Sequence, residues 1–249
     1  MMGRFVAGLG VCVLASTLWV PGVKAQPAFA VASIHQSGAA VKFERDGKTD
    51  TSPGHLLMKD VTVQTCIKWA YGVQRSQVIG PAWIESEHFD IDAKADDPVD
   101  VPQLKLMLQT LLADRFKLTF HREKKELKGF VMTVSKRGLK MRPSPPDVAH
   151  YWQNSANGTV ATGITLQEFT DYIAGPMEAP ILNETDLPGK YDFTLDFTNY
   201  LPADMHAMTG EATGILIAAL QGELGLKLDG RRAMFDVMEI DHVEKPSDN

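Results

Sequence analysis

Apolar positions along the chain change period several times, and each change marks a predicted element. Leu104, Met107, Leu108, Leu111 and Leu112 recur at the spacing of a helix with one buried face. Asp100 with Gln103 three residues on, and Pro102 in the first turn, supply the start signal. From Phe116 the period drops to two, with Phe116, Leu118 and Phe120 alternating with Lys117 and Thr119 as in a half-buried strand. The stretch 104–120 therefore predicts a capped helix that turns at Ala113-Asp114-Arg115 into a strand, a packing motif without chemistry of its own.

Upstream, residues 29–34 alternate as a strand with Phe29, Val31 and Ser33 on one face. Residues 36–54 are polar and rich in Gly and Ser, which predicts a long loop or a weak hairpin around 41–43. Thr62 is the expected N-cap of a helix with the stripe Val63, Cys66, Ile67 and Ala70, closed by Gly72. Residues 77–81 read as a short strand or turn. Residues 88–95 alternate strictly, with Phe89, Ile91, Ala93 and Ala95 inward, and 129–134 form a further strand.

Pro143, Pro145, Pro146, Asn154, Asn157 and Gly158 predict a linker without regular elements. Beyond it, Thr165-Leu166-Gln167-Glu168 is a capping box, and Leu166, Phe169 and Ile173 continue at helical spacing until Gly175-Pro176. Residues 190–197 alternate. Thr213 opens a last helix through Leu216, Ala219, Leu220 and Leu224, which Gly225 closes. Leu226-Lys227-Leu228 enters a strand, and 235–243 form the final one.

These elements repeat. Val61-Thr62-Val63-Gln64 answers Ile164-Thr165-Leu166-Gln167, and His88-Phe89-Asp90-Ile91 answers Lys190-Tyr191-Asp192-Phe193. Leu108-Gln109, Leu112 and Phe116-Lys117-Leu118 answer Leu220-Gln221, Leu224 and Leu226-Lys227-Leu228. The pattern predicts a duplication of about a hundred residues, each copy running helix, strand, helix, strand, strand. The expected fold class is α+β, in two related halves, each with helices packed on one face of a small, largely antiparallel sheet. The expected organisation is a signal peptide over 1–25, a first half over 26–140, a linker over 141–160 and a second half over 161–249. Leu112 and Leu224 then hold equivalent buried places, with Gln109 and Gln221 as exposed neighbours.

At 249 residues, 44% hydrophobic and 22% charged, the composition is globular. Arg4, the apolar run 5–20 and Val23-Lys24-Ala25 form a secretory leader cut after Ala25; the alternative is an uncleaved anchor. Loss of Arg4 and Lys24 takes the net charge from −6 to about −8. Such a chain repels phosphate backbones and anionic lipid, so nucleic acid is not the expected partner and no membrane span is expected after leader cleavage. Cys12 leaves with the leader, and Cys66 has no partner for an internal disulfide.

Five stretches together resemble a known family: residues 29–34, Pro81-Ala82-Trp83 with Phe89-Asp90-Ile91, residues 108–116, Gly189-Lys190-Tyr191-Asp192-Phe193, and Asp241-His242-Val243-Glu244-Lys245-Pro246. They are similar to the signatures of the "soil-associated protein" family, a domain-of-unknown-function family expanded in some soil bacteria. His35-Gln36 stands where relatives usually carry Lys-Pro. The resemblance brings no catalytic residue with it. Fusion of some members behind membrane metallopeptidase modules similar to antibiotic sensors implies a sensing or binding role. The step from the last helix into Leu224-Gly225-Leu226 also resembles the small periplasmic domains of secretins and TonB-dependent receptors.

The residues offer several chemistries, each with a plainer reading. His88, Asp90 and Asp92 share a strand face and offer metal ligands, or simply a solvated face. His121 beside Arg122 and Glu123 offers acid–base chemistry, or the polar end of a hairpin strand. Cys66 offers a nucleophile, or a small buried hydrophobe on its helix stripe. Met205, His206 and Met208 have the softness copper(I) favours. Trp69, Tyr71, Trp83, Tyr151 and Trp152 offer aromatic contacts to a peptide or glycan, with Trp69 and Trp83 expected in the core. No phosphate loop, dinucleotide fingerprint, nucleophile elbow or paired-histidine zinc motif is present, so no catalytic, cofactor or metal residue is assigned. The expectation is an exported, periplasmic or extracellular, non-catalytic binding or sensing module for an envelope peptide, glycan or protein. An exposed sheet edge is one route to such binding. The alternative is a hydrolase or other enzyme whose site is assembled from distant residues.

Overall fold

The computed structural model describes residues 26–38, 46–155, 157–201 and 212–246. The expected leader, the weak hairpin expected around 41–43, and Met205, His206 and Met208 lie outside them. The chain opens with β1 (Val31–Gln36), the hairpin β2 (Lys48–Ser52) and β3 (His55–Thr62), and α1 (Val63–Tyr71). A two-residue strand β4 (Val78–Ile79), β5 (His88–Lys94), α2 (Val101–Arg115) and β6 (Thr119–Val134) follow. The second half repeats that order with β7 (Arg142–Pro143), the hairpin β8 (Tyr151–Ser155) and β9 (Gly158–Thr165), and α3 (Leu166–Met177). It continues through β10 (Ile181–Asn183), β11 (Lys190–Asp196), α4 (Ala212–Ala219) and β12 (Leu226–His242).

Local capping chemistry fixes the helix starts. Thr62 accepts from the Thr65 amide, Asp100 from the Gln103 amide, and Thr165 and Glu168 bond each other's backbone reciprocally. Gly72 (φ 66°) and Gly225 (φ 71°) take the left-handed conformation that closes a helix. Between α4 and Gly225 the helix widens into a π turn, Leu220–Leu224. α3 runs past Gly175-Pro176 to Met177, because a proline in the last turn forfeits few helical bonds.

The outer sheets are copies. One has the order β1-β5-β3-β2 and the other β7-β11-β9-β8. A single offset carries Ser52 onto Ser155, His55 onto Gly158 and Thr62 onto Thr165. Both copies contain the same bulge. Lys59 and Asp60 lie opposite Asp90 alone, and Thr162 and Gly163 lie opposite Asp192 alone. Asp60 (φ 54°) and Gly163 (φ 66°) are both left-handed. The Asp60 amide donates to Asp90 Oδ1 at 2.8 Å, and the Gly163 amide to Asp192 Oδ1 at 3.0 Å. The aspartate of each Phe/Tyr-Asp motif therefore satisfies the amide that the bulge removes from the ladder.

The third sheet, β10-β6-β12-β4, joins the halves. β6 and β12 pair antiparallel without interruption from Leu226–Val134 to Ile240–Phe120. β10 pairs parallel with β6, and β4 parallel with β12, so each short strand is held by the other half's long strand. Phe120, Met238 and Ile240 pack in the first core with Ile67, Phe89 and Leu112. Phe130, Met132 and Leu228 pack in the second with Phe169, Phe193 and Leu224.

Several expectations change. The strands expected to begin at Phe116 and at 129 are one strand, β6, starting at Thr119, with Phe116 capping α2; likewise the last two expected strands are one, β12. Their central residues are polar because that part of the ladder lies between the cores, where apolar alternation is not required. β3 was not expected, since its bulge breaks the period of two. The expected linker contains β7, β8 and the start of β9, whose polar residues sit at a solvated sheet edge. β1 turns Ile34 inward and leaves Val31 69% exposed, the reverse of its predicted face. Gln109 is half-buried, and its side-chain amide donates to the Ala70 carbonyl at 2.9 Å.

Leu112 and Leu224 end their helices almost fully buried. Truncating either to Ala is expected to cost about 2–5 kcal/mol in urea unfolding. Gln221→Ala should stay within about 0.5 kcal/mol, whereas Gln109→Ala should cost about 1 kcal/mol for its lost bond. The Ser144 hydroxyl and then the Gly163 amide hold the Asp192 carboxyl below its ordinary value of 3.8. Its stabilisation is complete above that value and is lost as pH falls through the lower folded-state pKa. Asp192→Asn should therefore flatten the fall of Tm on acidification below pH 3.8, read by circular dichroism.

Candidate functional site

The side chains singled out for chemistry are drawn into separate structural contacts. Asp90 serves the bulge, His88 Nδ1 lies 2.8 Å from the Asp60 carbonyl oxygen, and Asp92 pairs with His55 Nε2 at 2.8 Å. His121 Nδ1 pairs across the ladder with Asp241 at 2.8 Å. Among the described residues no group of three or more His, Cys, Asp or Glu is placed to hold a metal ion. Trp152 packs on Phe169, Tyr172 and Phe193 as part of the second core. Tyr71 stacks edge-on with Phe120, while Trp69 and Trp83 rest on the first core beneath Lys105 and Lys245. Cys66 is buried with its Sγ 3.9 Å from Met58 Sδ, and burial pushes its thiol pKa far up. A thiol reagent should label the native protein slowly and the urea-unfolded protein rapidly; equal rates would place Cys66 at the surface.

Two hollows remain. One is an apolar pocket of about 300 Å³ between α3, β11 and α4, lined chiefly by Phe169, Tyr172, Leu195, Phe197, Ile215 and Leu216. Such walls accept an apolar group but supply no acid–base pair. The other, of about 380 Å³, lies over the β6–β12 ladder, with Lys128, Phe130, Arg231 and Arg232 around it and Ala179 at its end. On its face Gly230 leaves room beside the Phe130 ring, and on the opposite face Gly129 makes room for the Phe235 ring. A Cβ on Gly129 would come within 2.5 Å of the Phe235 ring and 2.6 Å of the Pro180 carbonyl oxygen.

That second hollow sits where an open strand edge begins. The Phe130 amide donates to the Pro180 carbonyl, and the Met132 carbonyl accepts from Glu184, so even-numbered residues of β6 turn their backbone groups outward. β10 covers that edge only along Phe130–Met132. Among the described residues no strand pairs with the outer side of Arg122, Lys124, Glu126 or Lys128. The corresponding edge of β12 is covered by β4 only at Met238 and Glu239, with the Gln77 side chain on the Asp236 carbonyl, and among the described residues no strand pairs with the outer side of Gly230, Arg232 or Met234 either. An extended chain laid beside β6 would find a row of backbone donors and acceptors, of which the Glu126 carbonyl already accepts from Arg232 Nη2 at 3.3 Å, and, at the β10 end, a hollow for a side chain. Local pattern carried no signal of this, because an open edge is defined by which strand does not arrive. No helix among the described residues is long and apolar enough to cross a membrane.

No curated protein and no solved structure matches the chain. A protein-family model described as "Protein of unknown function (DUF3738)" matches residues 64–243, a span that takes in α1, most of the first core, the whole second core and all of the β6–β12 ladder. The chain belongs to that family.

Proposed function

We propose that the protein is a non-catalytic binding module that holds an extended segment of a partner protein or peptide against the open edge of β6. The observation that carries the reading is the run Arg122–Lys128, whose outward amides and carbonyls face no strand among the described residues although both ends of β6 are built into cores. Strand addition supplies affinity from main-chain bonds and needs no special side chains, which agrees with a chain that has no catalytic motif. The reading puts the protein outside the cytoplasm, supported by the leader expected over residues 1–25, and within the soil-associated group of its family, supported by the resemblance of five stretches to that group.

The test is selection of eight-residue peptides from a displayed library on the purified protein, with Lys124→Pro as the comparison. The Lys124 amide points outward, so proline there removes an edge donor and leaves the ladder with β12 intact. Selected peptides are expected to lose binding to Lys124→Pro while its Tm stays near that of the parent. Peptides that bind both proteins equally, or a selection that enriches none, would contradict edge binding.

A further inference from the structure

We infer that the segment received by β6 is acidic, with carboxylates on alternate residues. This rests on the edge-binding reading and adds the chemistry of the ligand to it. Arg122, Lys124, Glu126 and Lys128 project from one face of β6, because successive side chains on a strand alternate. Residues of an added strand would stand about 4.5–5.5 Å from them, Cβ to Cβ, where charge pairing is felt. Glu126 is already occupied by Arg232, at 2.7 Å from the guanidinium Nε. Among the described residues no carboxylate forms an ion pair with Arg122, Lys124 or Lys128.

The edge therefore presents three cations with no carboxylate partner among the described residues, in a chain whose net charge is −6. At its end Lys128 is joined on the same face by Arg232, beside the hollow floored by Phe130. Arg232 is paired with Glu126, but the pair is about half exposed and is held weakly enough to exchange for a ligand carboxylate. Like charge along the edge also repels a second copy of β6, so the same residues that favour an acidic strand disfavour self-addition. The other face of β6 offers Glu123, Lys125 and Leu127, with Lys125 bonded to both Glu123 and Glu239. It supplies no matching cationic row, and the preference is thus for charge at every second position.

Fluorescence anisotropy with three labelled eight-residue peptides tests this: Glu alternating with Thr, Ser alternating with Thr, and Lys alternating with Thr. The Glu peptide is expected to bind about tenfold more tightly than the Ser peptide, with the Lys peptide weakest. The advantage should shrink as NaCl is raised toward 1 M. The double variant K124E/K128E should reverse the order of the Glu and Lys peptides, and Lys124→Pro should abolish binding of all three. Equal binding of the Glu and Ser peptides, still lost in Lys124→Pro, would overturn the acidic preference and leave edge binding standing. Binding that survives Lys124→Pro, or binding of none of the three, would overturn both.

Discussion

The uninterrupted ladder between β6 and β12 is the constraint on which the rest depends. Its ends are shared between two cores, with Phe120, Met238 and Ile240 in one and Phe130, Met132 and Leu228 in the other. All six lie on the same alternating set of positions. A slip of one residue would turn every one of them to the opposite face, so both cores fix the same register. The two short strands strengthen the coupling, because β4 is held by β12 and β10 by β6. Neither half completes the central sheet alone.

Duplication explains the architecture, and departures from it point to specialisation. The offset that carries Leu118 onto Leu228 also carries Lys125 onto Phe235 and Gly129 onto Glu239. One copy of the central diagonal contact is ionic, Lys125 with Glu239. The other is apolar, with the Phe235 ring over the bare Gly129 backbone. Phe235 thereby rests over β6 beside the start of β10, in the space that the absent side chain at Gly129 leaves. The helices differ as well: α1 and α2 pack together in the first half, whereas the apolar pocket opens between α3 and α4 in the second.

What the sequence made legible was local. Thr62, Asp100 and Thr165 cap helices through bonds within three residues, and Gly72 and Gly225 end them by backbone conformation alone, so no distant information is needed. Phe89, Ile91 and Ala93 face inward as alternation requires. The failures have long-range causes. The bulge at Asp60, held by Asp90 from another strand, hid β3. Pairing with a strand more than a hundred residues away keeps 121–128 extended although their pattern gives no apolar face. Tyr151-Trp152, read as a linker aromatic pair, is an edge strand whose Trp152 joins the second core. The open edge was the least legible feature, since it follows from β10 being only three residues long.

Backbone amide hydrogen exchange along β6 tests the central claim most directly, because it reads the edge itself and needs no ligand. The account predicts alternation in the unliganded protein. The amides of Glu123, Lys125 and Leu127, which bond to β12, should exchange slowly, and those of Arg122, Lys124, Glu126 and Lys128 should exchange nearly as fast as in an unfolded peptide. Equal protection of the two sets would mean that the edge is already covered and would contradict the account.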